Sequence, residues 1–384
     1  MYGATLGGGA NAGGTLFEIS SSPDGKKWTY QVLHDFCAKA QCRDGAIVLG
    51  PLVVDTVGAL YGLATVGGRD GSGLIFKLAP NADRSVWTYQ ILTEICPGGG
   101  ANCNLIGQIN FGLTYAGANS GELYDGVSPL YGTSTLGGSN MEGTVFAVRP
   151  RRGRTGWSFD VIHAFCDQQG CPDGESPEGN VTVDSAGHLF GTARWGGANS
   201  AGVLFELQEK KHVWAETVLH DFCALPACGD GESPGALTQD SAGNLLGFSE
   251  ADQNSCAVLN DCSLLFQFTA GSAWREHVLH RFCKKDDCRD GSLPEMPILS
   301  PSGDVFGATS YGGGHDIDDD GKGGGTVFRR GSTFGVLYRF CRQPACADGE
   351  YPRPNIIVDS AGNIFGLTQR GGPHGSGVVF ELTP

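Results

Sequence analysis

Leu130-Tyr131-Gly132-Thr133-Ser134, a Gly137-Gly138 loop and then Gly143-Thr144-Val145-Phe146 form one motif, and the chain repeats it. Its opening pair, an aromatic or Leu before Gly, recurs at Tyr2-Gly3, Tyr61-Gly62, Tyr131-Gly132, Phe190-Gly191, Leu246-Gly247, Phe306-Gly307 and Phe365-Gly366. The intervals are 59, 70, 59, 56, 60 and 59 residues. A short apolar stretch ending in Phe follows each time, at Phe17, Phe76, Phe146, Phe205, Phe266, Phe328 and Phe380. Five repeats then carry a Trp (Trp28, Trp87, Trp157, Trp214, Trp274). A Leu-His-Asp-Phe-Cys type segment comes next, as at Leu33 to Cys37 and Leu219 to Cys223. A cysteine pair, an Asp-Gly, an apolar stretch and a Ser-Ala-Gly turn complete the repeat.

Each repeat reads as four short strands: a (Val181-Thr182-Val183), b (Leu189 to Thr192), c (Val203 to Glu206) and d (Trp214 to Phe222). The Asp-Ser-Ala-Gly between a and b predicts a tight hairpin, its Gly supplying a positive φ. No segment has a helical period. A four-stranded unit of this length predicts an all-β chain, a β-propeller blade repeated around a ring. A β-helix would repeat at about 20 residues. The expectation is one propeller domain over residues 1–384, with blades starting near 2, 61, 131, 190, 246, 306 and 365. Seven b, seven c, six d and six a strands favour seven blades, with six or eight as alternatives. The first blade then lacks its innermost strand and the last its outermost. The repeated Trp and Phe are expected in the core.

Composition excludes other classes. Gly is 62 of 384 residues and only 17 % are charged, against the Ala, Glu, Lys and Leu of long helices. Hydrophobic residues make up 40 %, which argues against disorder. A net charge of −15 argues against nucleic acid and anionic membrane as main partners. No apolar run approaches the roughly 18 residues of a membrane span. Gly-x-Ser-x-Gly, nucleotide-loop and His-Glu-x-x-His motifs are missing from the sequence.

The fourteen cysteines fall into local pairs: Cys37/Cys42, Cys96/Cys103, Cys166/Cys171, Cys223/Cys228, Cys256/Cys262, Cys283/Cys288 and Cys341/Cys346. Local disulfides and an oxidising compartment are the reading. Zinc is the rival, but it needs two close pairs converging, and these pairs sit in separate repeats. The chain begins inside a repeat motif, so any export signal is expected to have been trimmed or left out of the gene model.

These residues resemble the bacterial GloVer tandem-repeat proteins, whose hallmark is Leu-Tyr-Gly-Thr-Thr, a Gly-Gly loop and Gly-Thr-Val-Phe. The resemblance runs over nearly the whole chain and implies a secreted or surface-anchored protein. It implies no particular chemistry and carries over no catalytic residue.

Functional residues are sought where the chain departs from its own repeat. The b–c loops of the first three repeats are bland, as in Thr65-Val66-Gly67-Gly68. Those of repeats four to seven carry Arg194-Trp195, then Glu250 with Asp252, then Tyr311 with His315, then Gln369-Arg370 with His374. Ordinary surface variation is the bland alternative. In propellers these loops share a face with the d–a loops, which the cysteine pairs would staple. The repeated His (His34, His163, His220, His280) is read as structural, because it is copied from repeat to repeat.

Asp316-Ile317-Asp318-Asp319-Asp320-Gly321 fits the oxygen-rich start of a calcium loop, with Asp316, Asp318 and Asp320 as ligands to a structural Ca²⁺. Val327 stands where a helix–loop–helix hand places its bidentate Glu, so that hand is excluded. A solvated acidic loop is the alternative, and no organic cofactor is expected.

Three functions fit. The first is an exported, monomeric binding module for carbohydrate or another extracellular polymer. Trp195 and Tyr311 would stack on sugar faces, with Gln369 and His374 beside them, and Arg194 and Arg370 would hold acidic groups. The second is an enzyme on polysaccharide. In a uronate lyase Arg194 or Arg370 would neutralise the carboxylate, with His315 or Tyr311 as base. In a glycoside hydrolase Glu250 and Asp252 would be the acid and its partner. The third is a structural or adhesive surface domain.

Overall fold

The structure is a computed structural model, describing residues 1–22, 27–95, 112–151, 153, 156–251, 262–271, 274–284, 288–300, 302–314, 323–353 and 355–383. It contains seven antiparallel sheets, the blades of a β-propeller. Strand b forms at Tyr2–Ala4, Leu60–Val66, Leu130–Ser134, Leu189–Trp195, Leu245–Glu250, Val305–Tyr311 and Ile364–Arg370. Strand c forms at Thr15–Ser21, Leu74–Pro80, Thr144–Pro150, Val203–Lys210, Ser263–Thr269, Thr326–Arg330 and Val379–Leu382. Strand d forms at Trp28–Asp35, Trp87–Glu94, Trp157–Ala164, Val213–Asp221, Arg275–Arg281 and Phe334–Arg339. The b, c and d tallies match the sequence reading.

Why the motif pairs Gly with Phe is visible in the register. Gly3, Gly62, Gly132, Gly247, Gly307 and Gly366 lie directly opposite Phe17, Phe76, Phe146, Phe266, Phe328 and Phe380 on strand c. Each Phe ring folds over its Gly. A Cβ there would fall 2.3 to 2.6 Å from the ring's Cζ. The Gly is therefore a space requirement. One step before the same Phe the c–d ladder slips by one residue in five blades, as between Ile75 and Phe76. The residue left unpaired is the one preceding the His position: Leu33, Leu92, Ile162, Leu279 and Leu337. This is a β-bulge written into the repeat.

Strand a forms where it was expected, as at Thr182–Val183, but a further short piece precedes it. The two pieces are Ala46–Val48 and Val53–Val54, Glu175–Pro177 and Thr182–Val183, Ser292–Pro294 and Ile298–Leu299, Glu350–Pro352 and Ile357–Val358. The first piece directly follows Asp-Gly, where only a loop was expected. Inside it, or at the matching place in the fifth blade, one residue has positive φ: Ile47, Ser176, Ser233, Leu293 and Tyr351, at 50 to 56°. Its N–H leaves the sheet. Those of Ile47, Ser176, Ser233 and Tyr351 donate to Gly13, Glu142, Ala201 and Gly324 in the b–c loop of the preceding blade, at 2.7 to 3.0 Å. The predicted Asp turn holds: Asp184 Oδ1 accepts from the Ala186 and His188 N–H groups, and Asp240 and Asp359 repeat it.

The residues group into two compact units, Met1–Phe190 with Glu206–Thr217, and Gly191–Phe205 with Val218–Pro384. In the first, Tyr61, Ile75, Tyr124 and Phe146 form one core cluster, and Phe36, Leu60 and Phe76 another. In the second, Phe306, Val327, Phe340 and Phe380 form one cluster, and Phe248, Phe282 and Phe328 another. The Phe positions are core as expected. The Trp positions are not uniformly so: Trp28 is 45 % exposed, and Trp87 and Trp157 only lean on core clusters. They open strand d, a sheet edge with a neighbour on one side only.

Candidate functional site

The stapled loops hold the rim in place. Disulfides close Cys37–Cys42, Cys166–Cys171, Cys223–Cys228, Cys283–Cys288 and Cys341–Cys346. Cys96, Cys103 and Cys256 lie outside the described residues, and Cys262 is buried beside Cys283 and Cys288. Inside each stapled loop the Asp of Asp-Gly accepts backbone N–H bonds. Asp44 takes those of Ala38 and Lys39, Asp230 those of Ala224 and Leu225, and Asp348 those of Arg342 and Gln343. The Gly-Gly loop after strand b then bonds to the staple. Gly68, Gly313 and Gly372 donate to the carbonyls of Cys42, Cys288 and Cys346, at 2.9 to 3.2 Å. The b–c and d–a loops therefore lie together.

Arg194 and Glu250 each stand three residues after the Gly position of successive b strands. Arg194 Nη2 donates to Glu250 Oε1 at 2.7 Å. The same guanidinium lies 5.2 Å from the centre of the Trp195 ring, a cation–π distance. Trp195 is 42 % exposed, so one part of this large ring faces water. Three residues expected to converge do so.

A second group forms one turn of the repeat later. Tyr311 meets Tyr351 edge-on at 5.3 Å, and the Arg370 guanidinium lies 5.6 Å from the Tyr351 ring. Tyr351 was missed from sequence. It occupies the positive-φ seat held elsewhere by Ile47, Ser176, Ser233 and Leu293. Comparing that position among repeats, as was done for the b–c loops, would have found it. Gln369 and His374 are exposed nearby in sequence. Asp252, His315 and the expected calcium ligands Asp316, Asp318 and Asp320 lie outside the described residues.

Titration is perturbed away from these loops. The repeated His meets the Asp of its own stapled loop: His163 with Asp173 at 3.6 Å, His220 with Asp230 at 3.3 Å and His280 with Asp290 at 3.0 Å. Burial lowers the His34, His163 and His220 imidazolium below the usual range. Burial also pushes two carboxyls on strand d, Glu216 and Glu276, up to about 8, with Asp173 and Asp230 respectively adding to the effect.

Among solved structures, the chain resembles a Penicillium chrysogenum α-L-arabinanase complexed with arabinobiose, at 11 % identity and a TM-score of 0.50, covering 88 % of this chain and 93 % of that one. It also matches a Trypanosoma rangeli sialidase at 11 % identity and a TM-score of 0.45, covering 95 % of this chain but 57 % of that one. A Xanthomonas campestris gluconolactonase matches at 12 % identity and a TM-score of 0.39, covering 77 % and 79 %. At these identities the likeness is one of fold. No curated protein sequence matches the chain. The model of the Gloeobacter/Verrucomicrobia repeat, a tandem-repeat bacterial family, matches residues 100–260.

Proposed function

We propose that this is an exported carbohydrate-binding propeller whose b–c loops in blades four to seven take a polysaccharide. The observation that carries the reading is Trp195: a large ring, 42 % exposed, braced by a guanidinium that Glu250 holds. A ring already braced loses little entropy on stacking against a sugar. Tyr311, Tyr351 and Arg370 supply a second aromatic and cationic group for an adjacent residue of the polymer, and Arg370 suits a carboxylate or sulfate.

Binding fits this geometry better than hydrolysis. As a general acid Glu250 would first have to leave Arg194, with which it makes a 2.7 Å ion pair. The arabinanase of like fold was solved with arabinobiose, which is compatible with a sugar ligand without identifying one. Export is supported by five disulfides in short loops. Among the described residues no helix is long and apolar enough to cross a membrane.

The test is affinity electrophoresis through gels containing neutral, uronate-bearing or sulfated polysaccharides. The wild type should be retarded by one class, and Trp195→Ala should weaken that retardation by roughly tenfold or more, given the ~1.4 kcal/mol such a stack contributes. Retardation unchanged in Trp195→Ala, or none on any polymer, overturns the proposal. Appearance of unsaturated or reducing ends in the same incubations would instead establish the enzyme reading.

A further inference from the structure

Away from the b–c loops, the chain breaks its own repeat at one place on strand d, half-buried at Glu216 and Glu276. Two residues after the Trp of strand d stands an aromatic in Tyr30, Tyr89 and Phe159, but a carboxylate in Glu216 and Glu276. Phe334 fills the place in the sixth blade. Where it is aromatic, the ring can be a shelf for the repeated His of the preceding blade. His34 stacks on Tyr89 at 4.1 Å with planes 2° apart, and His280 on Phe334 at 3.6 Å and 1°. Glu276 removes that shelf from His220 and puts a carboxylate in its place.

The result is a cluster of three metal-donor side chains. One donor atom each from His220, Asp230 and Glu276 lies within 4.8 Å of the other two. His220 Nε2 and Asp230 Oδ2 are 3.3 Å apart. Tetrahedral ligands about 2.1 Å from a zinc ion sit about 3.4 Å from each other, so this pair is already at chelating separation. Asp230 is aimed by the Ala224 and Leu225 N–H groups of a loop closed by Cys223–Cys228. The His220 ring is boxed by Phe222, edge-on at 5.0 Å, and by Phe268, tilted at 4.9 Å. Buried His220 Nε2 meets Asp230 Oδ2 at 3.3 Å, and Glu276 Oε1 is buried and makes no hydrogen bond among the described residues. A buried carboxylate oxygen without a partner is rare and costly, and a cation shared by the three side chains would satisfy it.

We infer that His220, Asp230 and Glu276 form a binding site for a divalent transition metal of the zinc type. An imidazole with two carboxylates suits zinc, cobalt or manganese better than calcium, which takes oxygen donors alone. The neighbouring cysteines are disulfide-bonded and supply no thiolate. Three protein ligands leave a position for water. The equivalent His163, Asp173 and Glu216 have the same residue types but are not drawn within that distance, His163 and Asp173 being 3.6 Å apart. They are an internal control.

The test is titration calorimetry of chelator-treated, disulfide-intact protein with Zn²⁺ alone, alongside the visible absorption of Co²⁺. Wild type should take up zinc at this site, develop the Co²⁺ spectrum and gain in Tm. Glu276→Gln and Glu276→Tyr, the latter restoring the ring found at Tyr89, should keep the fold by circular dichroism. Both should bind on the order of 100-fold more weakly. Glu216→Gln should leave the affinity as it is. No zinc uptake, or uptake of equal strength in both Glu276 variants, overturns the site. So does an infrared band of a protonated Glu276 carboxyl that persists in zinc-saturated protein.

Discussion

At the scale of single residues, the motif that decides the fold is a packing rule. A Gly stands opposite a Phe whose ring needs the volume of the missing Cβ. Gly132→Ala would set a methyl carbon 2.5 Å from the Phe146 Cζ, inside a buried cluster that cannot open. Such overpacking costs about 1–3 kcal/mol. Urea unfolding should show a lower midpoint with an unchanged slope. An unaltered midpoint would mean that Phe146 moves aside without cost. Glu216 carries a different kind of strain. Burial raises its folded pKa to about 8, well above the 4.5 of an exposed Glu. The native state therefore holds a proton that the unfolded chain gives up at lower pH. Its stabilisation is complete below about 4.5 and is lost as pH rises towards about 8. The Asp173 carboxylate adds to the rise. Glu216→Gln should flatten the fall in denaturation midpoint between pH 5 and pH 8.5. A wild-type midpoint that rises over that interval would reverse the assignment.

At the scale of elements, the sequence was informative where one interaction is local and repeated. The Asp-Ser-Ala-Gly hairpin is such a case: Asp184, Asp240 and Asp359 bond to N–H groups two and four residues on. The four-residue cysteine spacing is another. The short piece that precedes strand a is not legible in the sequence because it depends on a neighbour. Ile47, Ser176, Ser233 and Tyr351 take a positive φ so that an N–H can reach the preceding blade. Nothing in a β-branched Ile or an aromatic Tyr announces that conformation. The candidate site divides in the same way. Arg194, Trp195 and Glu250 could be grouped in advance, since equal offsets in successive strands place them side by side. Comparing repeats singles out Tyr351, but its grouping with Tyr311 and Arg370 rests on ring contacts that only the structure shows.

At the scale of the whole molecule, seven repeats predicted seven blades, and the cysteines predicted staples that five of the loops contain. What the staples contribute can be bounded. Each links cysteines five positions apart, so the chain-entropy gain is about 2 kcal/mol per bond. Five bonds then supply about 10 kcal/mol, comparable with the 5–15 kcal/mol that separates folded from unfolded domains. The double substitution Cys166→Ser with Cys171→Ser should lower Tm by only a few degrees and leave the sheets intact. Full reduction should be far more damaging, because the stapled loops hold both the Asp that caps them and the Gly-Gly loops beside the candidate site. Differential scanning with and without a thiol reductant measures the difference, and the same contrast should appear as a higher folded yield from an oxidising compartment than from a reducing one. Equal melting curves in reductant would show that the sheets alone hold the fold, and would remove the strongest argument for export.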